Sequence, residues 1–265
     1  MALEFEKPIL DLETRIEDRY GLESVHVVEG GASQSADVLR RQLGAAAAQY
    51  LARAVRPGET IGLAWGTTLS AMVDAMVPIA TANTRVVQIL GGVGAPDAPE
   101  YGAELVRRLA RQLEAQAVLL PAPGIVATSA VRDVLSKDKH VRAALDELDS
   151  LDIVFVGLGS LASNAVLNDG HTLSRQARKE LQARRAVGDI ALRFFDNRGA
   201  PVLTGLDDRM LGITTEQLRK AERVVAVAGG TDKFDAIAAG LQAKVVDVLI
   251  TDRVTAEALA RHERD

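Results

Sequence analysis

The sequence of 265 residues contains no cysteine and only four histidines. The absence of cysteine excludes disulfide bonds, thiolate nucleophiles and zinc sites with cysteine ligands. The four histidines lie too far apart in the sequence to form a local metal-binding motif such as HExxH. We therefore expect neither a metal site nor a cofactor.

The sequence also has fewer basic than acidic residues and lacks long apolar runs. Lys and Arg number 31 against 36 Asp and Glu, which gives a formal net charge of −5. Such a chain has no overall attraction for a nucleic-acid backbone, so we do not expect it to bind DNA or RNA by itself. No apolar run approaches the ~18 residues of a membrane-spanning helix, and the N-terminus does not resemble a signal peptide. These absences predict a cytoplasmic protein without a membrane partner.

Hydrophobic residues make up 48% of the chain, enough to build a folded core. Short β-branched runs alternate with amphipathic stretches, and several runs are apolar at consecutive positions, as in parallel strands covered on both faces. This alternation predicts an α/β fold with a mainly parallel layered sheet. The predicted strands are Val25–Val28, Thr60–Ala64, Arg85–Leu90, Ala117–Leu120, Asp152–Leu158, Arg223–Ala228 and Val245–Ile250.

Apolar residues at helical spacing predict the intervening helices. One stretch, Asp189–Leu203, departs from the alternation of strands and helices. It is interpreted as two short strands joined by a turn at Asn197-Arg198-Gly199. We expect a small hairpin insertion there, over about residues 189–213. The predicted helices are Ala36–Val55, Thr68–Met76, Tyr101–Gln116, Leu173–Arg185, Phe234–Ala243 and Thr255–Arg261.

Glycine follows four of the seven predicted strands. In an open parallel sheet, ligands bind outside the carboxyl ends of the strands, where loops lead into helix N-termini. Glycine at these points lets backbone amides approach an anion closely. The four stretches are Gly62–Leu69, Gly91-Gly92, Gly157–Ser160 and Gly229–Thr231.

The turn Gly66-Thr67-Thr68 is the best candidate for binding phosphate. It offers amides at a predicted helix start, with two hydroxyls beside them. The alternative is that Thr67 or Thr68 only caps the helix, and the sequence leaves both interpretations open. Neither a Walker loop nor a GxGxxG pattern is present, so nucleotide binding gains little support.

Three further side chains are candidates for a polar site. Lys233 is expected in the first turn of the helix after Gly230, where the helix dipole disfavours a cation. It either neutralises a bound phosphate or is an ordinary solvated lysine. Asp189 opens the predicted hairpin and either accepts hydrogen bonds from sugar hydroxyls or forms a turn. His171 falls in a polar loop and is interpreted as a surface residue.

Five stretches, taken in order, resemble the effector-binding domain of the SorC family of bacterial transcriptional regulators. The last of them contains both a GG-x-x-K and an LITD element, and this combination is distinctive. The resemblance extends from about Leu10 to Leu259. The matching stretches are Gly62–Leu69, Val86–Gly92, Asp152–Ser160, Gly188–Gly199 and Val225–Ala258.

This resemblance implies a fold like that of ribose-5-phosphate isomerase, glucosamine-6-phosphate deaminase and the CoA transferases. It implies a sugar or sugar-phosphate effector that changes oligomerisation, as a dimer or tetramer, and operator binding. It also implies that the Gly-Thr-Thr turn and Lys233 contact the phosphate and that Asp189 holds sugar hydroxyls. Residues 25–265 would form the effector-binding domain, preceded by a connecting segment, residues 1–24. The predicted ligand-binding residues are Gly66, Thr67, Thr68, Gly91, Gly92, Gly159, Ser160, Asp189 and Lys233.

The sequence departs from that family at two points. Family members carry an N-terminal helix-turn-helix ahead of this domain, and this sequence has no counterpart. We therefore expect operator DNA to be bound only by a parent protein with such a segment. Some members place a lysine or arginine before the Gly-Gly pair, where this sequence has Leu90. Leu90 argues against a covalent imine at this position and weakens the case for a bisphosphate.

The resemblance favours a sugar-phosphate sensor that is not an enzyme. The alternative is a sugar-phosphate isomerase or deaminase of the related fold, with Asp189 or Asp152 as the base and the Thr67-Thr68 turn as the phosphate cradle. The lack of a recognisable acid–base pair argues against this enzyme. A purely structural oligomerisation domain would not explain four glycine-rich strand ends.

Overall fold

The computed structural model describes residues 7–30, 34–93, 101–162 and 173–262. Seven strands form one all-parallel sheet in the order β1-β10-β9-β5-β2-β3-β4, and β6, β7 and β8 form a small antiparallel sheet. The predicted α/β class and all seven predicted strands are confirmed. The strands are β1 (Ser24–Val28), β2 (Thr60–Leu63), β3 (Arg85–Gln88), β4 (Gln116–Val118), β5 (Ile153–Val156), β6 (Gly159–Ser160), β7 (Ala186–Ile190), β8 (Arg193–Asp196), β9 (Arg223–Val227) and β10 (Val248–Asp252).

Helices connect the strands of the large sheet. Every residue of β2, β5 and β10 is buried, although successive side chains point to opposite faces, so both faces of the sheet are covered. The described helices are α1 (Lys7–Tyr20), α2 (Ala36–Ala54), α3 (Thr67–Ala75), α4 (Gly102–Gln112), α5 (Ser129–Leu135), α6 (Lys139–Asp146), α7 (Arg175–Ala183), α8 (Thr215–Lys220), α9 (Phe234–Gln242) and α10 (Arg253–Arg261).

The segment predicted as a connector, residues 1–24, contains α1, which packs on β1 and α10. Its Ile16 and Tyr20 are almost completely buried. The carboxylates of Glu13 and Glu17 accept hydrogen bonds from backbone N–H groups of the edge strand β1, both at 2.8 Å. Helix α1 is therefore joined to the large sheet through its core and its edge.

Helices α2 and α3 lie unusually close together. A Cβ atom added to Gly44 of α2 would stand 2.5 Å from the carbonyl carbon of Ala71 in α3. No side chain larger than hydrogen fits there without separating the two helices. This contact fixes how the N-terminal turns of both helices meet at the carboxyl edge of the sheet.

The small sheet contains the predicted hairpin and a second turn that was not predicted. The predicted turn at Asn197-Arg198-Gly199 is confirmed, because it follows β8 and leads the chain back so that Pro201 pairs antiparallel with Phe195. The additional turn, Ala191-Leu192, lies within the predicted first strand and joins β7 to β8, with both residues in the left-handed conformation at φ of 50° and 63°. Burial of Leu192 offsets a turn that non-glycine residues rarely adopt.

Candidate functional site

A cavity of about 340 Å³ lies at the carboxyl ends of the central strands. We call it the central cavity. Its wall comes from the loops after β2, β5 and β9, from the β7–β8 hairpin, and from the start of α2. This is where an open parallel sheet offers its loops to a ligand, and the volume suits a small molecule.

The central cavity brings together seven of the nine residues predicted to bind ligand. They come from four separate segments of the chain: Gly66, Thr67, Thr68 and Lys233 follow strands of the parallel sheet, and the other three belong to the small antiparallel sheet. These residues are Gly66, Thr67, Thr68, Gly159, Ser160, Asp189 and Lys233.

Gly91 and Gly92, also predicted to bind ligand, are not among the described residues that line the central cavity. A Cβ on Gly91 would come within 2.7 Å of the backbone of Pro123, and one on Gly92 would overlap the hydroxyl of Tyr101. The Gly92 N–H also donates to the carbonyl of Ala122 at 2.9 Å. These glycines are explained by close packing against a neighbouring chain segment.

Helix α3 begins at the cavity without a side-chain cap. Its N-cap residue is Gly66, with φ of 127°, and the part of the chain that the structure describes shows no side-chain cap for the first turn. The predicted alternative, in which Thr67 or Thr68 caps the helix, is therefore wrong. The first N–H groups of a helix have no intrahelical acceptor, so this end remains suited to an anion.

Lys233 is held at the cavity by a buried network behind the Gly229-Gly230 loop. It ends a short 3₁₀ turn, Thr231–Lys233, directly before α9, and so does not lie in the first turn of that helix as predicted. The Gly230 N–H donates to Asp252 Oδ2 at 2.8 Å and to Thr255 Oγ1 at 3.0 Å. The Thr255 hydroxyl donates to the same carboxylate oxygen at 2.6 Å.

Asp252 and Thr255 are almost completely buried, and the sequence prediction did not include them in the site. The signal that could have revealed them is local: an aspartate at a strand end, followed three residues later by threonine, is a helix N-cap pattern. Asp252 caps α10 in this way, since its Oδ1 accepts from the Thr255 N–H at 3.1 Å.

Asp189 is the most unusual side chain of the cavity. It is only 5% exposed, and its Oδ2 accepts a hydrogen bond from the Leu192 N–H at 2.9 Å. Its Oδ1 is buried and has no hydrogen-bond partner among the described residues. Burial raises the pKa of this carboxyl to about 6, although the Leu192 N–H and the charge of Lys233 act in the opposite direction.

Asp152 lies at the other edge of the sheet from the cavity. It precedes β5, and its Oδ2 accepts a hydrogen bond from the Thr60 N–H at 2.6 Å, at the amino end of β2. The predicted alternative role of Asp152 as a catalytic base is therefore wrong. His171 lies outside the described residues, as does the polar loop around it.

Within the described ranges, no helix combines the length and the apolar character that crossing a membrane requires. No group of three or more His, Asp or Glu residues in those ranges is arranged to hold a metal ion.

The profile of the family described as "Putative sugar-binding domain" matches residues 6–261. The chain belongs to this family. It is similar to the deoxyribonucleoside regulator of Bacillus subtilis (strain 168), with 31% identity over 244 residues that cover 92% of this chain and 77% of the relative. The predicted resemblance to regulators of the SorC type is confirmed.

Two solved structures of this family share the fold. The full-length sorbitol operon regulator SorC from Klebsiella pneumoniae superposes with a TM-score of 0.91 at 26% identity, covering 98% of this chain and 84% of that one. The probable sor operon regulator from Shigella flexneri gives a TM-score of 0.87 at 28% identity, with 95% and 99% covered. The relatives named here are transcriptional regulators, and neither an isomerase nor a deaminase is among them.

Proposed function

We propose that this domain senses a phosphorylated sugar for a transcriptional regulator. The observation that carries the proposal is the convergence of seven residues, predicted from four separate segments, on one cavity. The family and its named regulators support a sugar as the ligand. The effector would bind unchanged, and the domain would not act as an enzyme.

The phosphate would bind at the start of α3. The uncapped amides after Gly66 and the hydroxyls of Thr67 and Thr68 supply hydrogen-bond donors, and the positive end of the helix dipole favours an anion. Lys233 lines the same cavity and supplies a full positive charge. Such charge-assisted hydrogen bonds are stronger than neutral ones.

The sugar hydroxyls would bind deeper in the cavity, at Asp189. A buried carboxylate oxygen without a donor is costly, and a hydroxyl of the ligand would satisfy it. Ser160, in the strand next to Asp189, adds a second polar group. Binding of the phosphate and of the hydroxyls by different residues would fix the orientation of the sugar.

Ligand binding would connect the two sheets, because Thr67 and Lys233 follow strands of the large sheet while Ser160 and Asp189 belong to the small one. An effector that binds one arrangement of the sheets more tightly shifts the molecule toward it. We infer that this shift changes homo-oligomerisation and, in a cytoplasmic parent protein with an N-terminal helix-turn-helix, operator binding.

The test is thermal unfolding with a panel of sugars and their phosphates. A ligand at one hundred times its Kd stabilises the folded state by about 2.7 kcal/mol, which is readily measured. We expect one phosphorylated sugar to stabilise the protein, to be recovered unchanged, and to lose this effect in Lys233→Met. The matched control is Lys220→Met, at an exposed lysine of α8. Consumption of the ligand would indicate an enzyme, and stabilisation only by unphosphorylated sugars would contradict the phosphate site.

A further inference from the structure

Arg40 lies beside the turn to which the phosphate is assigned. Helices α2 and α3 follow parallel strands and touch at Gly44 and Ala71. One helical turn earlier on each helix come Arg40 and Thr67. Both residues line the central cavity, and both line an outer concavity of about 330 Å³ on the adjoining surface. Arg40 therefore stands where the cavity opens to the outside.

The charges of the cavity show why a second cation matters. Among the described residues, four charged side chains line it: Arg40 and Lys233 are positive, and Asp189 and Asp232 are negative. Their formal charges cancel, and without Arg40 the sum is −1. Lys233 is already close enough to Asp189 to influence its ionisation. Lys233 alone therefore leaves no surplus of positive charge for a phosphate dianion.

The guanidinium of Arg40 is available for a ligand. Its Nη1 contacts Asp37 at 2.8 Å, and the described residues give it no other hydrogen-bond partner. The side chains of this pair are 37% and 70% exposed, and ion pairs so exposed to water are weak. An arginine fork also matches two phosphate oxygens at once. If the Arg40 guanidinium left Asp37 and bound a phosphate, it would exchange a weak ion pair for a stronger one.

We propose that Arg40 is a second cationic ligand of the effector's phosphate, in addition to Lys233, and that it leaves Asp37 when the cavity is filled. This inference rests on the proposed phosphate site at the start of α3. It assigns to α2 a direct part in ligand recognition and makes the cavity selective for a doubly charged anion over a neutral sugar.

Isothermal titration of the whole chain with inorganic phosphate tests this assignment. Arg40→Met keeps the aliphatic stem and removes the charge, and we expect it to weaken phosphate binding by about tenfold or more. The control is Arg41→Met, because Arg41 lines the outer concavity but not the central cavity. We expect this control to bind phosphate like the wild type. Melting temperatures without phosphate report on the fold, and Arg40→Gln is the second variant if Arg40→Met does not fold.

The outcomes distinguish failure of the proposed phosphate site from failure of the proposed role of Arg40. If Arg40→Met binds phosphate like the wild type while Lys233→Met does not, the phosphate site stands and the role of Arg40 is refuted. Equal losses in the Arg40 and Arg41 variants would show a general effect of surface charge and would also refute it. A wild-type protein that binds neither inorganic phosphate nor any sugar phosphate would overturn both proposals.

Discussion

Replacing Asp189 by asparagine should stabilise the ligand-free protein. The pKa of this fully buried carboxyl is raised from 3.8 to about 6, so ionisation of Asp189 opposes folding at neutral pH. A shift of about two pKa units corresponds to about 3 kcal/mol, which is an upper limit for the gain in the free energy of unfolding. Asparagine keeps an oxygen that can accept from the Leu192 N–H, so the turn can persist.

The stabilisation by Asp189→Asn should depend on pH, because the pKa of Asp189 is higher in the folded state than in the unfolded state. Between pH 4 and pH 6 the folded state binds more protons at Asp189 than the unfolded state, so the contribution of this group to stability falls as pH rises through that window. The advantage of Asp189→Asn over the wild type should therefore be largest above pH 6 and should disappear near pH 4. Comparing the two proteins cancels the titration of all other groups.

Urea denaturation at pH 7.5 and at pH 4.5 provides the measurement. Asp208→Asn is the control, because Asp208 is an exposed aspartate in a surface turn. A destabilised Asp189→Asn at pH 7.5, or an advantage that does not change with pH, would refute the reasoning. The same variant should lose affinity for the sugar, as expected where stability is given up for function.

Two further substitutions and one fluorescence measurement test the packing and the site. In urea denaturation, Gly44→Ala should destabilise the protein by about 1–3 kcal/mol, because the new methyl group meets the backbone of α3. The control Gly205→Ala adds a methyl group in open space and should be almost neutral. Asp252→Ala leaves the partly buried Gly230 N–H with one acceptor fewer and should cost about 1–3 kcal/mol by the same assay. A neutral result would contradict the role of Asp252 in holding the loop. Trp65, the only tryptophan, lines the cavity, so effector binding should change its fluorescence, and an unchanged emission at saturating ligand would place the ligand elsewhere.

The large sheet could be predicted from sequence because its strands are short, apolar and separated by glycine. The central strand β5 has four buried residues in a row, a pattern that a surface segment does not show. Helix α1 escaped prediction because it buries only a narrow stripe around Ile16 and Tyr20. Helix α5 buries no residue at all, so it has no apolar periodicity to detect.

Site residues could be predicted from the sequence where the backbone geometry requires a particular residue type, and less well where it does not. Gly66 was identified because a strand-to-helix turn at this φ favours glycine. Gly91 shows the limit of that reasoning, since close packing against Pro123 demands glycine equally. Arg40 and Asp252 reach the site only through the packing of α2 and α10, which no local pattern reports.

The two glutamates of α1 have a consequence for how copies of this protein can meet. Strand β1 is an edge strand of the large sheet, and the unpaired backbone N–H groups of an exposed edge strand can pair with a strand of another chain. Here the outward N–H groups of Val25 and Val27 already donate to Glu17 and Glu13. Growth of the sheet by strand addition is therefore closed at this edge. For the proposed change of assembly, contacts at this edge would be made by side chains, which can be remade while an extended sheet cannot.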